Sequence, residues 1–202
     1  IEISKYLDRK YGMKYNYNNE IMVTVGGSEG IDMALRAMLD PGDEVIIPQP
    51  SYVSYEPCTV LAGGKPVIVE LKEENEFRLT AEELEEAITP KSKILIMPFP
   101  NNPTGAVMEL NDIEAIAKVV KEHDLYVITD EIYSELTYLE KHVSIASLPG
   151  MKERCVLING FSKAYAMTGW RLGYACAPKE ILSQMLKIHQ FAIMCAPTTS
   201  QY

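Results

Sequence analysis

The sequence predicts an α/β fold of three layers, α/β/α, with a mostly parallel central sheet. Three observations predict it. Short runs rich in Val, Ile and Leu alternate along the 202 residues with segments of helical apolar spacing. Turn formers such as Pro41-Gly42-Asp43 and Gly63-Gly64 punctuate the junctions. Ser28, Tyr52, Asn102, Asp130, Tyr133 and Lys163 all follow apolar strand-like runs, and in such sheets ligands gather at the carboxyl ends of strands.

In chain order, Ile3, Tyr6, Leu7 and Tyr11 mark one side of an opening amphipathic helix. Residues 21–25 form a short β-branched strand. Gly26-Gly27-Ser28-Glu29-Gly30 is then a turn, and a helix carries Ile31 to Leu39. A strand, a glycine turn and a helix start point free backbone N–H groups at an anion, and the helix dipole assists. A plain turn with an N-cap fits the same residues equally well. A second strand spans residues 44–48. Pro50-Ser51-Tyr52 opens a helix through Val53, Tyr55 and Val60. Residues 67–69 are the next strand, and Thr80 with Glu83 forms a capping box for a helix to Ile88.

A fourth strand, residues 94–97, runs into Pro98-Phe99-Pro100-Asn101-Asn102-Pro103-Thr104-Gly105. So many turn formers make a rigid loop, in which an Asn clamped by prolines presents its amide accurately. Asn111 caps a helix to His123, and residues 125–128 are a strand leading into Thr129-Asp130-Glu131-Ile132-Tyr133. Acidic residues there are costly unless solvated or paired. A buried carboxylate facing a ring nitrogen would hold that nitrogen protonated. Residues 155–158 and 172–177 are the last strands, and Pro178 opens a final helix through Ile181, Met185, Ile188 and Phe191.

Composition narrows the partners. The net charge of −9 without any basic block argues against nucleic acid or an anionic membrane. Three scattered histidines give no metal site. Cys58, Cys155, Cys176 and Cys195 lack Cys-x-x-Cys spacing, and three of them lie in apolar runs, so buried free thiols in a reducing compartment, cytoplasmic by default, fit better than a disulfide framework. The chain opens inside a helix without Met and closes on Ser200-Gln201-Tyr202. Residues 1–202 are accordingly expected to be one domain of a longer protein.

The chemistry centres on the run from Ser162-Lys163 to Gly173-Tyr174, just past a buried strand. A lysine so placed can form a Schiff base with a carbonyl, and Arg171, after Gly169, offers a planar fork to a phosphate. With Gly160, this run resembles the pyridoxal-phosphate attachment signature of the class I/II aminotransferases. Pro100 to Gly105 and Asp130-Glu131-Ile132-Tyr133 match the same family in order and spacing.

The resemblance covers nearly the whole chain. It implies fold type I, a cofactor of pyridoxal 5'-phosphate and a large cofactor-binding domain that lacks the small C-terminal one. By that resemblance Lys163 forms the internal aldimine and then moves protons, and Asp130 pairs with the pyridinium nitrogen. Tyr133 and Asn102 hydrogen-bond the phenolic oxygen, while Tyr52 stacks on the ring. The backbone of Gly27, Ser28 and Glu29 holds the phosphate together with Ser162 and Arg171. The implied activity moves an amino group from an L-amino acid to a 2-oxo acid in amino acid metabolism, within a homodimer.

Three departures stand out. Gly160 replaces a hydroxyl residue common in relatives, and Glu29 puts a negative charge beside the phosphate place, so its side chain must turn away. The third is that, by the resemblance, the family's arginine for the substrate carboxylate is expected beyond Tyr202 and its partner-subunit aromatic residue before Ile1. This chain alone is therefore expected to bind cofactor rather than transaminate. The same residues would serve a β-lyase acting on sulfur amino acids, and a third reading is an aminotransferase-like ligand sensor of a transcription regulator.

Overall fold

The computed structural model describes residues 1–138 and 141–202. Seven strands form one sheet in the order β1-β7-β6-β5-β4-β2-β3. They are β1 (Ile21–Thr24), β2 (Glu44–Gln49), β3 (Lys65–Glu70), β4 (Ser92–Met97), β5 (Tyr126–Asp130), β6 (Cys155–Gly160) and β7 (Gly173–Cys176). Pairings β2–β3, β2–β4, β4–β5 and β5–β6 are parallel, and β7 runs antiparallel between β6 and β1. The carboxyl ends of β1, β2, β4, β5 and β6 therefore share one rim with the entry to β7.

Strand alternation divides the core. On β4, Ile94 and Ile96 join one cluster while Leu95 and Met97 join the other; β6 does the same with Val156 and Ile158 against Cys155 and Leu157. The first cluster packs α2 (Gly26–Met38), α3 (Tyr55–Leu61) and α6 (Lys179–Ala192) on one face. The second packs α1 (Glu2–Tyr11), α4 (Ala81–Ala87) and α5 (Leu110–Glu122) on the other. The predicted three layers are present. Burying both faces is what turns the central strands into near-continuous apolar runs.

Element starts depart from the sequence reading, each for a local reason. The glycine segment is not a turn before α2 but its first turn, closed where the Glu29 carboxylate accepts the Val25 N–H. Gly30 packs close on the sheet: a Cβ there would lie 3.0 Å from Ile158 Cδ1, a side-chain tip that would have to give by a few tenths of an ångström. Helix α3 begins at Tyr55, not Pro50. That start puts Pro57 in the first turn, where its missing N–H costs nothing; a start at Pro50 would leave Pro57 in the interior. Asn111 is not the cap of α5: it lies in the first turn, and Asp112 reaches back to the Glu109 N–H at 3.1 Å. The Thr80–Glu83 capping box of α4 forms in both directions. All four cysteines are free, but only Cys155 and Cys176 are buried; Cys58 is half-buried and Cys195 exposed, so burial reaches two thiols rather than the three in apolar runs.

Candidate active site

A cavity of about 230 Å³ opens on the rim where these strands end. Nine of the ten predicted residues line it: Gly27, Ser28, Tyr52, Asn102, Asp130, Tyr133, Ser162, Lys163 and Arg171. They arrive from five separate stretches of chain, each just past β1, β2, β4, β5 or β6, with Arg171 just ahead of antiparallel β7. Glu29 is the one that does not line the cavity.

Asp130 is the last residue of β5 and only 7 % exposed. Its Oδ2 accepts the Tyr55 hydroxyl at 2.8 Å and its Oδ1 the Ile132 N–H at 3.2 Å. Burial pushes the Asp130 carboxyl up from 3.8 to about 6, against the pull of those two donors, and neighbouring Glu131 adds to the rise. The site thus holds a carboxylate that its surroundings only partly stabilise. Burial and the Asp130 charge push the Tyr55 hydroxyl well above its ordinary range, which keeps it a donor.

Lys163 lies in the turn after β6, with its Nζ 5.5 Å from the centre of the Tyr133 ring. The Lys163 turn is closed where the Thr168 hydroxyl donates to the Ser162 carbonyl at 2.9 Å. Tyr52 stands between β2 and α3, its ring edge-on to Tyr55 at 5.6 Å and its hydroxyl 3.4 Å from Ser28 Oγ. Asn102 is exposed on the loop after β4. Its neighbour Asn101 anchors that loop, donating from Nδ2 to the Pro50 carbonyl at 2.9 Å.

The other end of the cavity is a cradle of backbone. No side chain caps α2 at Val25, and N–H groups in a helix's first turn have no intrahelical partner. Those of Gly27 and Ser28 thus meet the cavity, with the positive end of the helix dipole behind them. Arg171 stands beside them, donating from Nη1 to the Thr168 carbonyl at 3.2 Å and from Nη2 to the Val25 carbonyl at 3.4 Å. A Cβ on Gly26 would lie 2.5 Å from Arg171 Nη2, and one on Gly173 would lie 2.5 Å from the Gly26 carbonyl carbon. Glycine at both positions is what lets the guanidinium approach the helix start. Gly160 belongs to the same contact: a Cβ there would sit 2.9 Å from Gly173 Cα, so the missing hydroxyl residue has no room here.

Glu29 turns away, as its charge demands. Its Oε2 accepts the Val25 N–H and its Oε1 accepts from His189 Nδ1 at 2.8 Å, the His189 side chain being 7 % exposed on α6. Sequence reasoning did not single out Tyr55, Thr168 or His189. Tyr55 had a signal, lying three residues after Tyr52 across the turn in which its N–H donates to the Tyr52 carbonyl at 3.2 Å; nothing local pointed to His189. Among the described residues no cluster of His, Cys, Asp or Glu could hold a metal ion.

Residues 2–202 match the family described as aminotransferase class I and II. The aspartate aminotransferase of Pyrococcus abyssi is 49 % identical over 201 residues, covering 99 % of this chain and 52 % of its own. The aromatic-amino-acid aminotransferase 2 of Thermococcus litoralis is 46 % identical over 201 residues, with 99 % and 52 % covered. A crystal structure of an aromatic aminotransferase from Pyrococcus horikoshii matches with a TM-score of 0.97 at 48 % identity, over 99 % of this chain and 54 % of that one. The chain spans about half the length of the curated relatives it matches.

Proposed function

The chain belongs to the class I and II aminotransferases, and from that premise we propose that its rim cavity serves the transfer of an amino group from an L-amino acid to a 2-oxo acid. The family works with pyridoxal phosphate. The donor set on the rim suits that group: an uncapped helix start and a guanidinium for a phosphate, a buried carboxylate for a ring cation, and a primary amine for a carbonyl. When bound, the cofactor supplies an electron sink for the charge left when a substrate loses its α-proton.

The roles of the chain's own residues follow. Asp130 would hold the ring nitrogen protonated, an arrangement in which its ionised form would gain the partner that burial denies it. Lys163 would attach the cofactor through its Nζ and, once released, would carry the proton there. Tyr133 and Asn102 would donate toward the phenolic oxygen, and Tyr52 would cover the ring face. The N–H groups of Gly27 and Ser28, with Ser162 and Arg171, would hold the phosphate and so keep the ring from drifting; Glu29, outside the cavity and with its N–H turned into the helix, drops out of that set. Residues 1–202 act as the large cofactor-binding domain, and the arginine for the substrate carboxylate comes from outside them. The working protein is a cytoplasmic homodimer of amino acid metabolism. Among the described residues no helix is long and apolar enough to cross a membrane.

The observation that carries this reading is Asp130: a raised, buried carboxylate sharing one cavity with Lys163 and Arg171. The test is to add pyridoxal phosphate and look for a visible absorption band that borohydride fixes onto a peptide containing Lys163. The full-length protein should then turn over amino donors with 2-oxoglutarate. Equal labelling of Lys163→Ala sinks the site assignment; pyruvate and free thiol from cystathionine, without 2-oxoglutarate turnover, sink the transfer.

A further inference from the structure

We infer that His189 is a positioning residue for the phosphate cradle: it tethers the Glu29 carboxylate behind the start of α2 and so keeps Arg171 free for an anion. The inference rests on the cradle assignment made above.

Glu29 is an awkward residue for such a place. It lies in the first turn of α2, one position after Ser28, and a carboxylate there is drawn to the helix start as any anion would be. Untethered, it would compete with a phosphate both for the uncapped N–H groups and for the guanidinium. Arg171 and Glu29 already meet at one residue: Arg171 donates to the Val25 carbonyl and Glu29 accepts the Val25 N–H. A Glu29–Arg171 ion pair is the competing arrangement that a tether on Glu29 has to prevent.

His189 closes off that alternative. Its Nδ1 donates to Glu29 Oε1 at 2.8 Å, and with Val25 on Oε2 both carboxylate oxygens are occupied on the side away from the cavity. The two side chains are 7 % and 11 % exposed, so water competes little for the bond. Neither Glu29 nor His189 lines the cavity. His189 therefore acts at a distance through Glu29 and touches no reacting atom. Helix α6 packs directly on α2, which gives the tether a rigid base.

The experiment measures binding of pyridoxal phosphate and of phosphate-free pyridoxal to the full-length protein. His189→Leu should weaken pyridoxal phosphate roughly tenfold, the scale of one misplaced charge at a helix start, and leave pyridoxal unchanged. Adding Glu29→Gln to His189→Leu should restore the affinity, because the competing charge is gone. His189→Gln, which keeps a donor, should behave nearly as wild type. Equal loss of both ligands in His189→Leu, or no rescue by Glu29→Gln, would overturn the inference and leave His189 as packing. If His189→Leu does not fold, Glu29→Gln alone decides: it should bind pyridoxal phosphate at least as tightly as wild type, and weaker binding overturns the tether. Wild type that binds neither ligand at Lys163 fails the cradle assignment itself, a separate outcome.

Discussion

Replacing Asp130 by Asn tests whether this carboxylate waits for a cationic partner. In the native protein burial raises its carboxyl from 3.8 to about 6. Because the folded value lies above the unfolded one, its contribution to stability is complete below about pH 4 and is lost as pH climbs through about 6. At roughly 1.4 kcal/mol per tenfold change in proton affinity, the loss between pH 4 and 8 comes to about 2–3 kcal/mol. Asn cannot titrate, so urea unfolding of the cofactor-free proteins should show Asp130→Asn gaining that amount on wild type across the window. Adding pyridoxal phosphate at pH 8 should reverse the order, since only wild type offers the ring a counter-charge. Parallel stability curves for the two proteins, with and without cofactor, would refute the argument that burial strains this group.

Three further outcomes follow from the same geometry. Tyr55→Phe removes the 2.8 Å donor to Asp130, so the carboxyl should titrate above about 6 by carbon-13 resonance, and stability at pH 8 should fall by about 2 kcal/mol. Gly173→Ala drives a Cβ to 2.5 Å from the Gly26 backbone; calorimetry should show a loss of roughly 3 kcal/mol or more, with weaker phosphate binding from a displaced Arg171. Thr80→Ala breaks the reciprocal cap of α4 at a place remote from the cavity. It should cost about 1 kcal/mol in denaturant unfolding and leave cofactor affinity untouched.

The sheet was legible because each central strand is buried on both faces, and a fully apolar run such as Ile94 to Met97 admits few other readings. Helix starts were less so. Asn111 looks like a cap by residue type, yet Asp112 with Glu109 makes the bond that decides the start. Pro50 looks like a helix opener until Pro57 is asked where it can sit. In the site, Lys163, Asp130 and Asn102 were visible because each interrupts or follows an apolar run where a bland residue would do. His189 was invisible for the opposite reason: a lone histidine on an amphipathic helix has no local oddity, and only the packing of α6 on α2 gives it Glu29 as a partner.

The same limit explains the glycines, and with them why the chemistry assembles at this rim. Strand β7 runs against its neighbours, so its entry, not its exit, meets the carboxyl ends of β1 and β6. Gly173 pairs with Gly160 on one side and with Thr24 on the other, and its Cα hydrogens face backbone with no space for a methyl group. That close approach carries Arg171 to the first turn of α2, far from it in sequence. Strand direction thus supplies the guanidinium, strand ends supply the carboxylate and the amine, and the helix start supplies the N–H groups. A side chain at Gly160 or Gly173 would push β7 outward and separate the cradle from Lys163 without altering any residue that touches a ligand.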